Sequence, residues 1–375
     1  MEKQDILDIE KWHSNNHQKD LSGRRITVEK IIPLIKKWRS IFKVKRIGSS
    51  EMGKDIFSIT FGTGEKNILI WTQMHGNESS GTKAVFDLLK FIEESDEYEN
   101  ITKMIHERCK ITIVPILNPD GAENYTRVNE HQIDLNRDVI DQKAAESKIL
   151  MKILTEINPE YCFNLHDQRT IFSIGKERNP ATISFLAPSV DEERTITNGR
   201  KETMKTIVSM NDMLQKFIPG QVGRYSDEFY PTATGDNFQK MGHNTILIES
   251  GHYENDYQRE HTRKYTFLAL LQGINAVVNP EKDIASQKYF EIPENEKYYL
   301  DMIFKNIMYK GEQTDIGVLF LERLKEGKIN LIPSIEKMGD LELYKANTML
   351  EDVKKETNSE KELINWLKNE YIRII

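Results

Sequence analysis

The chain has 375 residues, enough for roughly two or three domains and for a core that needs no disulfide or structural metal merely to fold. With 52 Lys and Arg against 59 Asp and Glu, its net charge of −7 argues against a general nucleic-acid binder. No apolar run approaches the ~18 residues of a membrane helix, Met1-Glu2-Lys3-Gln4-Asp5 has no signal-peptide character, and Cys109 and Cys162 are too few for a secreted disulfide framework, so a cytoplasmic protein without nucleic-acid or membrane partners is expected.

Residues 1–23 are polar and predict a loosely packed arm. From about Thr27, the spacing of Val28, Ile31, Ile35, Trp38 and Phe42 predicts a helix, although Pro33 falls inside its first two turns. Ile68-Leu69-Ile70-Trp71-Thr72 reads as a buried strand, and 81–94 as a helix with Val85, Leu88, Leu89 and Ile92 on one face. A second buried strand, 111–117, ends at the turn Asn118-Pro119-Asp120-Gly121. There follow a helix over 144–157, a strand over 161–165, a long helix over 192–217, a strand over 245–248 and a helix over 258–278. Apolar strands alternating with helices predict an α/β fold with a largely parallel sheet covered on both faces.

After Pro280 the texture changes, and residues 299–307, 316–321 and 329–332 look like strands joined at Lys310-Gly311 and Glu326-Gly327. A β-rich appendage is expected over about 281–350, then a charged segment and a C-terminal helix with Ile364, Leu367, Tyr371 and Ile374 along one side. The division is therefore 1–280 and 281–375.

Nine His residues, each with a 59-in-375 chance of an acid three places on, should give about one or two such pairs by accident. There are three, His17/Asp20, His75/Glu78 and His131/Asp134, so position must decide among them. His75 follows a buried strand and precedes a helix, at the carboxyl edge where open α/β sheets bind ligands. His166 ends Tyr161-Cys162-Phe163-Asn164-Leu165, and Glu249 ends Thr245-Ile246-Leu247-Ile248. A carboxylate continuing an apolar strand is costly without a partner or a role. If these strands are parallel neighbours, His75, Glu78, His166 and Glu249 converge: two His and one Glu leave a zinc position open to water, and a further Glu is available to take its proton. The segment from Arg127 to Arg137 adds two guanidinium groups and Asn136, which suit a carboxylate and an oxyanion.

The ordered set His75-x-x-Glu78, Asn118-Pro119-Asp120-Gly121, Arg127-x-Asn129, Asp134-Leu135-Asn136-Arg137, His166 and Glu249 resembles the zinc carboxypeptidase family over roughly residues 45–278. The resemblance implies a three-layer α/β/α sandwich with a central mixed sheet, and one zinc ion (Zn2+) per chain held by His75, Glu78 and His166. It makes Glu249 the general base and acid and Arg127 the group that polarises the scissile carbonyl. Asn136 and Arg137 would grip the terminal carboxylate of a peptide or amino-acid amide substrate, and Asp134 would orient a zinc His. Tyr230 is assigned to cover the substrate, with Tyr225 in the same loop as the alternative. The chain departs from the family at Asn136-Arg137-Asp138-Val139, where Asp138 is expected to place a negative charge beside the carboxylate anchor. Gly235-Asp236 falls in the region of the pocket floor.

Two other functions fit the same residues: an amidohydrolase of γ-linked, cell-wall-derived or N-acyl amino-acid substrates, and a binding module without catalysis. The plainer readings are an ion-pair network joining Arg127 and Arg137 to Asp134 and Asp138, a solvated Arg169, a cleft-wall or helix-capping role for His252, Tyr253 and His261, and a core role for Cys162.

Overall fold

The computed structural model describes residues 3–374 apart from 95, 281–283, 352 and 354, so the expected boundary at 280/281 lies outside the described residues. An eight-stranded mixed sheet forms the centre, in the spatial order Lys43–Ser49, Asp55–Phe61, Cys109–Val114, Lys66–Trp71, Tyr161–Asp167, Asn244–Ser250, Ile183–Leu186 and Val222–Arg224. The middle four are mutually parallel and contain all four buried runs read from the sequence. Antiparallel strands extend them on both sides, Asp55–Phe61 on one and Ile183–Leu186 on the other.

Successive side chains of a strand face opposite sides, which divides the core in two. Ile68 and Ile70 pack into a cluster with residues of the helices Val28–Trp38, Ser80–Glu94, Asn198–Leu214 and Glu260–Val278. Leu69, Trp71 and Cys162 pack on the other face with Leu150, Ile153 and Leu154 of the helix Ala145–Ile157 and with Phe238. Helices therefore cover both faces, giving the three layers. The turn chemistry agrees: Asn158 ends Ala145–Ile157 in the left-handed conformation, φ 46°, just before Pro159, and Thr197 Oγ1 accepts from Arg200 N at 3.2 Å to start Asn198–Leu214.

Several expectations change. The N-terminal arm is a helix, Lys3–Asn16, because Ile6, Ile9 and Trp12 recur at three-residue spacing and bury against the core. The long helix starts at Asn198, not 192, where Thr197 provides the cap. The hairpin Lys43–Ser49/Asp55–Phe61 has no counterpart in the sequence reading; its outer strand, Lys-Val-Lys-Arg-Ile-Gly-Ser, is polar and half-exposed, so it carries no apolar alternation to detect.

The C-terminal region is a second sheet, in the order Lys345–Leu350, Tyr299–Tyr309, Glu312–Lys325, Lys328–Gly339 and Arg373–Ile374. Its two predicted hairpin turns are present, with positive φ at Lys310 and Gly311 (53° and 83°) and at Glu326 and Gly327 (52° and 76°), the pairing that matches strand twist. The helix Glu360–Tyr371 covers this sheet with Leu363 and Leu367. The expected stripe is corrected at Ile364 and Ile374: Ile364 is only half-buried, and Ile374 lies past the helix in a short strand, 63% exposed. The second sheet packs against loops beside the first, through Ile329 and Leu331 on Tyr125 and through Leu300, Ile303 and Leu319 on Ile171. Among the described residues no helix is long and apolar enough to cross a membrane.

Candidate metal centre and substrate pocket

Parallel pairing of Tyr161–Asp167 with Asn244–Ser250 sets His166 beside Glu249. Next to them, Lys66–Trp71 ends and the chain turns through Gln73 (φ 44°), whose amide nitrogen donates to the Ile26 and Gly76 carbonyls at 3.0 and 2.8 Å. This loop swings His75 back over the strand ends. Gly76 is required here: a Cβ would sit 1.9 Å from the backbone of Gly121 in the Asn118–Gly121 turn.

The result is a compact donor cluster. His75 Nδ1 lies 2.9 Å from Glu78 Oε1, and His166 Nδ1 lies 2.8 Å from Glu78 Oε2 and 3.1 Å from His75 Nδ1. His75, Glu78 and His166 are all buried, and they are the one group of three or more potential ligands found among the described residues. Donor atoms bound to one zinc at about 2.0–2.1 Å sit about 3.3 Å apart. Two imidazole nitrogens and a carboxylate converging at these distances therefore fit the ion that the sequence resemblance implies.

His75 Nε2 lies 3.0 Å from Asp134 Oδ1, and Arg127 Nε donates to Asp134 Oδ2 at 3.0 Å. Burial opposes ionisation of Glu78, but the charges of His75 and His166 outweigh it and hold that carboxyl well below its usual range. Burial lowers His166, whereas at His75 it is outweighed by Glu78 and Asp134, which raise it. At Glu249, removal from water and then the carboxylates of Glu78 and Asp167 push the carboxyl well above its usual range. Glu249 Oε2 has no hydrogen-bond partner among the described residues, which leaves it available to a proton on a bound molecule.

A cavity of about 450 Å3 opens from this cluster, lined among others by Arg127, Asn136, Arg137, Tyr230 and Glu249. Arg137 Nη1 donates to the Asn136 carbonyl at 2.7 Å, and its guanidinium stacks 4.3 Å from the centre of the Tyr230 ring. Tyr230 is 53% exposed, whereas the Tyr225 hydroxyl donates to Gln168 Oε1 at 2.8 Å and its ring packs edge-on against Phe172. Of the two tyrosines, Tyr230 is the more exposed and the one stacked on Arg137.

Asp138 is a correction. It is 4% exposed and accepts from Lys143 N and Ala144 N at 3.0 and 2.9 Å, ahead of Ala145–Ile157. Its charge satisfies a helix start and is not set beside the carboxylate anchor. The ion-pair network is correspondingly smaller: Arg127 pairs with Asp134 and Glu78, while Arg137 pairs with neither Asp134 nor Asp138 among the described residues. His252 is buried between Tyr257 and Tyr299, where burial pushes it down to about 3. Cys162 is fully buried.

The sequence reading missed Gln168 and Arg259. Gln168 carries Tyr225, and Arg259 donates to the Ser250 and Gln168 carbonyls, tying together the strand ends that carry Glu249 and His166. Arg259 begins a predicted helix at φ 58°, a conformation that no local signal announces.

Comparison with known proteins agrees with this geometry. Residues 31–170 match the Peptidase M14 family, described as zinc carboxypeptidase. Carboxypeptidase SOL1 of Arabidopsis thaliana is 31% identical over 103 residues, 25% of this chain and 21% of the relative. The chain spans about a fifth of the length of the curated relatives it matches. Among solved structures, a metallo-carboxypeptidase from Burkholderia cenocepacia aligns with a TM-score of 0.56 at 16% identity, over 68% of this chain and 69% of the other. Carboxypeptidase A from Helicoverpa armigera aligns with a TM-score of 0.54 at 15% identity, over 75% and 82%. At these identities the structural likeness shows the shared fold.

Proposed function

We infer that this chain, whose residues 31–170 belong to the zinc carboxypeptidase family, hydrolyses an amide bond next to a free carboxylate. The observation that carries the reading is one cavity holding the His75/Glu78/His166 cluster, Glu249 on the adjoining strand end and Arg137 under Tyr230. A zinc ion held by His75, Glu78 and His166 supplies Lewis acidity and makes water acidic near neutral pH.

The chain's own residues supply the rest. Arg137 and Asn136 hold the terminal carboxylate, which sets the amide between Glu249 and Arg127. Glu249 takes the proton of the attacking water as its oxygen bonds to the carbonyl carbon. The guanidinium of Arg127 faces the oxygen on which negative charge develops. Glu249 then gives its proton to the amine nitrogen as the C–N bond breaks, leaving a carboxylate and a free amino acid. Tyr230 closes over Arg137 and limits water around the anchor, and Asp134 keeps His75 oriented.

The test is metal content together with hydrolysis of N-acylated dipeptides. Expected are about one zinc per chain, lost in His166→Ala, and turnover that falls by on the order of 10²–10⁴ in Glu249→Gln while zinc is retained. A protein that takes up no zinc, or a Glu249→Gln variant as active as the parent, overturns the reading.

A further inference from the structure

A second cavity, of about 320 Å3, shares Glu78, Arg127, Asp167, Gln168 and Arg169 with the first. Part of its remaining wall comes from the C-terminal sheet, through Asp301 and through Leu319 to Arg323 of Glu312–Lys325, and the rest from Arg24, Asn77, Thr170 and Arg259. If Arg137 holds the terminal carboxylate in the first cavity, the metal cluster and Arg127 stand between the two. The part of the substrate on the acyl side of the scissile amide then continues into the second. This placement rests on the function proposed above.

The second cavity is lined by Arg24, Arg127, Arg169, Arg259 and Arg323. Each of its carboxylates is engaged through at least one oxygen, while Oδ1 of Asp167 and Oδ1 of Asp301 have no partner among the described residues. Glu78 is held by two histidines, and Glu322 pairs with Arg24 at 2.9 Å and accepts from the Tyr125 hydroxyl. Asp301 accepts from Phe320 N at 2.7 Å, and Asp167 from Ser80 Oγ at 2.8 Å. The cations are not matched in the same way. Arg259, 3% exposed, donates to two backbone carbonyls and has no ion-pair partner among the described residues; Arg323 has none either. Arg24 is 6% exposed and its Nε lacks a partner among the described residues. A buried guanidinium without a carboxylate is costly, and a bound anion beside it removes the cost. Burial and then the charge of Arg24 hold Arg259 below its usual range against the opposing charges of Asp167, Glu322 and Asp256.

We propose that the C-terminal sheet completes an acyl-side subsite, and that it selects substrates bearing a carboxylate on the acyl side of the cleaved amide. Arg323, exposed at the rim with no ion-pair partner among the described residues, meets this carboxylate first; Arg169, also exposed, is paired with Glu336 at 3.2 Å. Exposed Leu321, two positions before Arg323 on the same strand, offers apolar surface to the side-chain stem.

The test uses three N-acetyl dipeptides with one common terminal residue and Glu, Gln or Lys before it. With the zinc-loaded full chain, kcat/KM should favour Glu over Gln by about three- to tenfold, with Lys lowest. Arg323→Glu should bring the Glu-to-Gln ratio to about one or below, because a like charge then faces the substrate. Lys325→Glu makes the same charge change two positions along the strand but outside the cavity, and should leave the parent order intact. The same order should appear calorimetrically in binding to Glu249→Gln, which reads the subsite without turnover. Equal kcat/KM for the three peptides, or a ratio that moves as much in Lys325→Glu as in Arg323→Glu, overturns the subsite and leaves the hydrolase reading standing. No turnover, together with tighter binding of the Glu peptide, overturns the hydrolase reading and leaves the subsite.

Discussion

His75 turns its Nε2 to Asp134 at 3.0 Å, so the ring's other nitrogen is the one presented to Glu78 and His166. A proton on Nε2 shared with a carboxylate fixes the tautomer in which Nδ1 carries the lone pair, and it raises the basicity of that lone pair. Asp134→Ala is therefore expected to weaken zinc binding by about 10- to 100-fold. Competition against a chelator of known affinity measures this. Asp134→Asn keeps an oxygen acceptor and should lose less; equal affinity in all three proteins would mean that the contact does not orient the ring.

Arg127 reaches Asp134 Oδ2 through Nε at 3.0 Å and Glu78 Oε1 through Nη1 at 3.4 Å, with its side chain about half exposed at 48%. Asp134 holds its head beside the His75, Glu78 and His166 cluster. Arg127→Ala should lower kcat by on the order of 10²–10³ with zinc content retained, the loss expected for one oxyanion donor. Because Asp134 serves both residues, a double-mutant cycle of Arg127→Ala with Asp134→Ala should be non-additive. Additive effects would separate the two roles.

Arg137 and Tyr230 act as one unit, a cation stacked 4.3 Å from a ring that is more than half exposed. Exposed contacts of this kind are worth about 0.5–1 kcal/mol. Tyr230→Phe keeps the ring and should leave KM within about twofold, whereas Tyr230→Ala should raise it about two- to fivefold. Arg137→Ala should remove the preference for a free terminal carboxylate over its amide, read as the ratio of kcat/KM for the paired substrates. A retained preference would place the anchor elsewhere.

The ends of the central strands were legible because buried parallel strands are uninterrupted apolar runs, so a polar residue at their ends stands out: His166 after Leu165 and Glu249 after Ile248. The pairing that makes them neighbours follows from parallel connectivity. Side-chain direction was not legible. Asp138 lies next to Arg137 in sequence yet turns to the backbone of Lys143 and Ala144, and only the fold distinguishes Tyr225 from Tyr230. Arg259 and Arg323 were invisible for a different reason: they come together in the second cavity through contacts between segments far apart in the chain, and neither carries a local motif. The first helix was legible but overlooked, since Ile6, Ile9 and Trp12 have helical spacing within a polar average.

That first helix is locked to the body of the protein by a buried charge network, and this gives a prediction about stability and pH. Asp87 accepts from Arg263 Nε and Nη2, both at 2.7 Å, and from Gln18 N at 2.7 Å, and it lies 2.8 Å from His13 Nε2. His13, Asp87 and Arg263 are at most 3% exposed. Burial alone would raise the Asp87 carboxyl, but Arg263 and then His13 outweigh it and hold the carboxyl far below its usual range. A depressed folded-state value means that ionised Asp87 stabilises the fold fully above its unfolded value of about 3.9, and that this contribution fades as pH falls below it. Asp87→Asn leaves Arg263 with Glu260, at 3.0 Å, in place of two carboxylate partners and should cost up to about 3–5 kcal/mol at neutral pH. Thermal unfolding from pH 7 to pH 3 should show Tm of the parent falling steeply below about pH 4, with a shallower fall for Asp87→Asn in the same window. Parallel curves for the two proteins would show that other carboxylates govern acid unfolding. An Asp87→Asn protein as stable as the parent at pH 7 would show that the first helix is held by its other contacts, Ile6, Ile9 and Trp12 in the core and the Glu10–Lys264 pair.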